Sequence, residues 1–172
     1  MNKLSGKVLS FTSGPDQPIP SNSVVPPPPS AYTYTMKIDT STAGYLQFYF
    51  VDVGGIKWPL SIWKDLVVTI NLDPSWQWEF IHSPQVAPMT LGPQDTAENN
   101  PYWGLQVLAA STASGLYQQV QFNAVLNSEP LHHTDPFNLY VLLHQPDGTS
   151  IPIKVDPDIE NPGDPPPNQL GG

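Results

Sequence analysis

The stretch Leu139–Val155, LYVLLHQPDGTSIPIKV, is the clearest indicator of the fold. On both sides of its centre, apolar residues occupy every second position, which is typical of a strand with one buried face. At the centre, Pro146 fixes φ for the first turn position and Gly148 can adopt the positive φ that a tight turn needs. The stretch therefore predicts a β-hairpin.

The same period-two alternation recurs through the central part of the chain. It appears in residues 32–38, 76–81, 120–126, 139–143 and 151–155, and residues 45–53 and 66–72 are runs of β-branched and aromatic side chains. Turn-forming residues separate these runs, and no run of ten residues carries an apolar stripe at helical spacing. We therefore predict an all-β fold, an antiparallel immunoglobulin-like β-sandwich of seven to nine strands, with a small barrel as the alternative.

The prolines indicate the domain organisation. Most of the 22 prolines lie in two clusters, residues 14–30 and 157–167. The sequence therefore predicts an N-terminal strand and Pro-rich arm at 1–30, a β-sandwich domain at 31–156 and an acidic Pro-rich tail at 157–172.

Charge and cysteine content exclude several classes of function. The net charge is -9, all six basic residues are lysines, and neither arginine nor cysteine occurs. Nucleic-acid binding requires a basic face with several phosphate contacts, so we expect no nucleic-acid partner and no binding to anionic membranes. Without cysteine there are no disulfides, thiolate nucleophiles or Cys-ligated metals.

The N-terminal residues favour a cytoplasmic protein. Residues 1–15 contain two lysines but lack the continuous apolar segment of a signal peptide. No window approaches eighteen apolar residues, so no transmembrane helix is predicted. Export by a route without a signal peptide is left open as the alternative.

The end of the domain resembles a known family. The segments YQQVQFNAVLN, FNLYVLLHQPDG and DPDIENPG are similar to the last third of small bacterial β-sandwich proteins called the DP-EP family. In this resemblance the closing pattern falls on Asp156, Pro157, Ile159 and Asn161. A related group carries the label "nucleotide synthetase". The resemblance implies a β-sandwich and brings no cofactor or site residues with it.

One polar cluster is a candidate metal site. Glu129, His132, His133 and Asp135 offer imidazole and carboxylate ligands within seven residues. Their spacing matches no established metal motif, so the alternative is a polar turn between two strands. We predict no cofactor.

Two aromatic residues are candidates for ligand binding. Tyr102 and Trp103 follow a polar turn, and side by side they predict an exposed platform for a glycan or a peptide. The alternative is that both rings pack in the core or at its edge.

The C-terminal Gly171-Gly172 supports one further hypothesis. Two final glycines are typical of ubiquitin-like modifiers, whose tails thread into processing enzymes, but no β-grasp helix is predicted here. An ordinary flexible end is the alternative.

The missing motifs argue against an enzyme. The sequence contains no G-x-S-x-G elbow and no Gly-rich phosphate loop, which speaks against taking the "nucleotide synthetase" label literally. We therefore predict a non-catalytic protein that acts through contacts with a protein partner or with itself, as a homo-oligomer. The alternatives are a carbohydrate-binding module and a Gly-Gly-tailed modifier.

Overall fold

The computed structural model describes residues 4–8, 17–18, 27–41, 43, 46–58, 60–62, 64–83, 86–91, 102–109, 115–124, 133–156 and 158–161. No helix that is long and apolar enough to cross a membrane occurs among them. These residues form fourteen strands. The strands are β1 (Leu4–Val8), β2 (Gln17–Pro18), β3 (Ala31–Asp39), β4 (Gln47–Val51), β5 (Lys57–Trp58), β6 (Leu60–Ser61), β7 (Leu66–Leu72), β8 (Trp78–Phe80), β9 (Met89–Leu91), β10 (Tyr102–Leu108), β11 (Gln119–Ala124), β12 (His133–His144), β13 (Ser150–Val155) and β14 (Asp158–Asn161).

The first sheet has the strand order β10-β11-β7-β3-β4, and β5 also pairs with β4. Its pairs are antiparallel except for β3 and β7, which run parallel with Tyr34 opposite Ile70. In β3 and β11, burial alternates at every second residue, as the sequence pattern requires. One face of this sheet is therefore buried.

The second sheet is built on the β12–β13 hairpin. Strands β9 and β8 pair in turn with β12, and β2 extends this side by pairing with β9. The two sheets share β1, since Leu4 and Ser5 pair with β4 whereas residues 6–8 pair with β13. The segment therefore changes sheets within five residues.

The core lies between the two sheets. Phe48 of the first sheet stacks on Trp78 of the second, with ring centroids 6.2 Å apart, and both side chains are buried. Around them pack the inward residues of both sheets, among them Tyr34, Phe122 and Val141. The predicted all-β sandwich is confirmed. The described strands outnumber the seven to nine expected, because several are only two or three residues long.

Strand pairing extends past the boundaries predicted for the domain. Strands β1 and β2 lie within residues 1–30, and β14 lies within residues 157–172. Strand β14 pairs with the first four residues of β12 and runs parallel to β6. After Asp156 and Pro157, β14 thus continues the antiparallel pairing with β12 that β13 makes.

Candidate active site

The outer face of the second sheet brings together an acid, an imidazole and a hydroxyl. In β8, Trp78 and Phe80 point into the core, so Glu79 between them lies on the opposite face. Strand β12 places His144 on that same face, and His144 pairs directly with Ser150 at the start of β13. Three adjacent strands thus contribute one side chain each.

The three side chains form a continuous hydrogen-bonded chain. The Nε2 atom of His144 lies 2.9 Å from Oε1 of Glu79, and its Nδ1 atom lies 2.7 Å from Oγ of Ser150. We call this arrangement the Glu79–His144–Ser150 chain. Both ring nitrogens are engaged at good hydrogen-bonding distance, which fixes the orientation of the imidazole.

The direction of each hydrogen bond follows from the groups involved. A carboxylate only accepts, so Nε2 of His144 carries the hydrogen and donates it to Glu79. In the neutral imidazole, Nδ1 then accepts from the Ser150 hydroxyl. This is the acid–imidazole–hydroxyl order of a catalytic triad, with the two ring nitrogens exchanged relative to the serine-protease template.

The backbone holds the acid and the imidazole in place. The second oxygen of Glu79, Oε2, accepts a hydrogen bond from the backbone N–H of Tyr117 at 3.2 Å. The backbone N–H of His144 donates to the carbonyl of Gln77 at 2.7 Å. The side chains of Glu79 and His144 are 19% and 30% exposed, whereas Ser150 is exposed. Ser150 is therefore open to solvent, while the acid is largely screened from it.

The hairpin turn fixes the spacing between His144 and Ser150. The N–H of Gly148 donates to the carbonyl of Gln145 at 3.0 Å, and Gly148 has φ of 85°. Asp147 accepts hydrogen bonds from the hydroxyl and the backbone N–H of Thr149, and these bonds hold the pKa of Asp147 below its ordinary value. The turn predicted from Pro146-Asp147-Gly148 is present and lies beside the candidate site.

The structure places the two candidate aromatics differently from the expected platform. Tyr102 is only 2% exposed, and its ring packs edge-to-face against Phe122 at 6.0 Å. Tyr102 thus belongs to the core and contributes no exposed face, because its position in β10 points inward. The side chain of Trp103 is partly exposed, but its Nε1 is buried and has no hydrogen-bond partner.

The candidate metal residues lie largely outside the described part of the chain. Glu129 and His132 are outside it, and of His133 and Asp135 only the backbone is described, paired with β14. Within the described ranges, no three His, Asp or Glu residues come close enough to hold a metal ion. Gly171 and Gly172 also lie outside the described residues. The metal site and the functional tail stay predictions.

Sequence inspection did not single out any member of the Glu79–His144–Ser150 chain. Glu79 and His144 are 65 residues apart, and they meet only because β8 pairs with β12. The sequence does indicate that His144 and Ser150 lie close together. They flank the predicted turn symmetrically, and cross-strand partners in a hairpin have neighbouring side chains. Glu79 had no comparable signal.

The chain matches a family model over most of its length. Residues 35–164, about three quarters of the chain, match the model of a family described as a predicted novel nucleotide synthetase. The chain belongs to this family. The match covers part of β3 and all of β4 to β14, and therefore all three residues of the candidate site. No curated protein shows significant similarity to the chain.

Family membership corrects one expectation and confirms another. The resemblance to proteins labelled "nucleotide synthetase" is confirmed. The prediction that the chain is not an enzyme is wrong, because the description of its family names a synthetase. That prediction was based on missing local motifs, whereas acid, base and nucleophile can be assembled from distant strands. Protein partners and self-assembly stay predictions.

Proposed function

We propose that this chain is an enzyme acting on nucleotides, and that the Glu79–His144–Ser150 chain is its catalytic acid–base site. The observation that carries the proposal is the pair of hydrogen bonds, 2.9 and 2.7 Å long, that connect a screened carboxylate through an imidazole to an exposed hydroxyl. The description of the family supplies the class of substrate.

The arrangement suits activation of the Ser150 hydroxyl. A free serine hydroxyl is a weak nucleophile, and an adjacent base activates it by taking its proton as the oxygen attacks. In the proposed step the Ser150 oxygen forms a bond to the α-phosphorus of a nucleoside triphosphate, the bond from that phosphorus to the bridging oxygen breaks, and pyrophosphate leaves. A hydroxyl of a second nucleotide then attacks the same phosphorus and releases its proton to solvent, while the bond to Ser150 breaks and His144 returns the proton to the serine oxygen. Nδ1 of His144 is in position to accept the proton of the Ser150 hydroxyl. Glu79 then stabilises the positive charge on the imidazolium through Nε2, and the backbone N–H of Tyr117 keeps the carboxylate in line. Proton transfer by such a group contributes about 10²- to 10⁴-fold to a rate.

The charge balance of the chain limits how the substrate phosphates are held. There is no arginine in the sequence, so a bidentate arginine clamp on a phosphate is excluded. Lys154 lies on the outer face of β13 with Ser150, four residues further along. At about 3.4 Å per strand residue, this places it roughly 14 Å from Ser150. That separation is compatible with contact to the far end of an extended nucleotide.

The experiment follows product formation directly. Full-length protein is incubated with Mg²⁺ and the four nucleoside triphosphates, singly and in pairs, and new nucleotides are identified by chromatography and mass spectrometry. We expect Ser150→Ala and His144→Asn to lower the rate about 100-fold or more, because each removes an essential proton-transfer partner. Glu79→Gln should lower the rate less, since the imidazole and the hydroxyl remain.

Ser41→Ala provides the matched control. Ser41 is an exposed turn serine that follows β3 of the first sheet, and its backbone N–H hydrogen-bonds to Asp39. This variant should keep the wild-type rate. The assignment of the site is refuted if a product forms and Ser150→Ala and His144→Asn still make it at the wild-type rate. Absence of any new nucleotide with the wild-type protein would reject the proposed activity.

A further inference from the structure

A pair of aromatic rings lies next to the candidate site. The rings of His82 and Tyr117 are 4.3 Å apart between centroids and inclined by 66°. His82 is exposed and Tyr117 is partly exposed, and neither is part of the hydrophobic core. The pair is thus an aromatic surface feature that does not contribute to the packing between the two sheets.

The backbone connects this pair directly to the catalytic acid. Tyr117 donates its backbone N–H to Oε2 of Glu79, and its carbonyl accepts from the N–H of Phe80 at 2.7 Å. His82 follows β8 by two residues, and the N–H of Ile81 donates to the carbonyl of Tyr140 in β12 at 2.9 Å. The segments that carry both rings are therefore fixed to the strands that carry Glu79 and His144.

The chemistry of the pair suits one part of a nucleotide. Nucleobases stack on tyrosine and histidine rings, and such stacking requires no positive charge on the protein. This matters in a chain with a net charge of -9 and no arginine, because few cationic side chains are available to contact phosphates. Stacking on a surface ring can thus hold the base while the rest of the nucleotide extends toward Ser150.

We propose that Tyr117 and His82 form the base-stacking subsite of the enzyme, and that they hold the nucleobase beside the Glu79–His144–Ser150 chain. The inference rests on the proposed function for its class of ligand. It goes further by assigning base recognition to ring stacking, by residues that take no part in the proton transfer.

The variant Tyr117→Leu tests the ring alone. Glu79 is contacted by the backbone N–H of Tyr117, so the substitution removes the ring and leaves that hydrogen bond in place. The probe is adenosine, which has a base and no phosphate, and ribose 5-phosphate is the comparison because it has a phosphate and no base. Binding is measured by saturation-transfer NMR and by titration.

We expect adenosine to bind the wild-type protein and to bind Tyr117→Leu about 5- to 100-fold more weakly, the range that loss of one stacked base gives. His82→Ala should weaken binding in the same direction. The matched control is Tyr49→Leu: Tyr49 is a partly exposed tyrosine of the first sheet, near the ammonium group of Lys57, and its loss should leave adenosine binding unchanged.

A second measurement needs no variant. On titration with adenosine, the ring resonances of Tyr117 and His82 in the wild-type protein should shift, and those of Tyr49 should not. Unshifted Tyr117 and His82 resonances at saturating adenosine would overturn the subsite, as would wild-type affinity in Tyr117→Leu. So would binding of ribose 5-phosphate without binding of adenosine.

The outcomes separate this inference from the proposed function. If nucleotide products form but adenosine does not contact Tyr117, the base-stacking subsite is rejected and the enzyme proposal stands. If adenosine binds through Tyr117 but no nucleotide product forms, the proposed activity fails, and the aromatic pair is retained as a nucleobase-binding site.

Discussion

Replacing Asp52 by alanine should remove the hydrogen bonds that hold the loop between β4 and β5 and lower the free energy of unfolding by about 2–3 kcal/mol. Asp52 is 4% exposed, and its Oδ1 accepts hydrogen bonds from the N–H groups of Gly54 and Ile56 at 2.8 and 3.0 Å. Its Oδ2 accepts from the hydroxyl of Tyr32 at 3.4 Å. Hydrogen bonds to a charged group contribute about 1.5–3 kcal/mol each. Gly54 and Ile56 are exposed, so water can replace the lost acceptor. The summed loss of unfolding free energy therefore stays near the contribution of one such hydrogen bond.

Urea unfolding followed by tryptophan fluorescence measures this change by linear extrapolation. Asp52→Asn is the matched variant, because it keeps an oxygen in the Oδ1 position that can accept from both N–H groups. We expect it to lose about 1 kcal/mol, since only the charge and the contact to Tyr32 are altered. A loss below about 0.5 kcal/mol in Asp52→Ala, or an equal loss in the two variants, would show that these hydrogen bonds do not hold the loop.

Two further substitutions test local features of the sandwich. Gly104 has φ of 69°, and a Cβ there would overlap the side-chain amide of a cross-strand asparagine. Gly148 has φ of 85°, but no atom lies near the position of its Cβ. Gly104→Ala should therefore lower the free energy of unfolding by about 2–3 kcal/mol, and Gly148→Ala by about 1 kcal/mol. Equal losses in the two alanine variants, again measured in urea, would show that the overlap is relieved at no cost. Burial by itself would raise the pKa of Asp73, but hydrogen bonds from Ser75 and the ion pair with Lys37 at 3.2 Å lower it overall. A lowered pKa in the folded state stabilises the protein above the ordinary value of 3.8, and this stabilisation is lost as the pH falls through the folded value. The difference in unfolding free energy between wild type and Asp73→Asn should thus be largest near neutral pH and shrink below pH ~4; a difference that does not change with pH would contradict this.

The fold was predictable because its signals are local. Alternation at every second residue depends only on the neighbours in sequence, and in β3 and β11 it matches the observed burial residue by residue. The hairpin of β12 and β13 was predictable from three turn residues for the same reason. The short strands β5 and β6 carry too few residues to show a period, so they could not be counted from the alternation.

The candidate site was not predictable to the same degree. Sequence alone favours candidates by residue chemistry and by proximity along the chain, as with His132 and His133. The Glu79–His144–Ser150 chain instead depends on which strands are adjacent, and no local pattern encodes the pairing of β8 with β12. Even Tyr102, whose residue type suits ligand binding, is placed in the core by its strand.

An all-β sandwich without arginine or cysteine, with a hairpin at Pro146-Asp147-Gly148, follows from the amino-acid sequence alone. Composition and short-range alternation are enough for that, because they set which residues are buried and where the chain turns. The contact of Glu79 with His144, and through His144 with Ser150, arises only from the strand pairing in three dimensions. Glu79 and His144 are 65 residues apart in sequence, so bringing them together costs loop-closure entropy. The packing of the two sheets around a shared core offsets that cost.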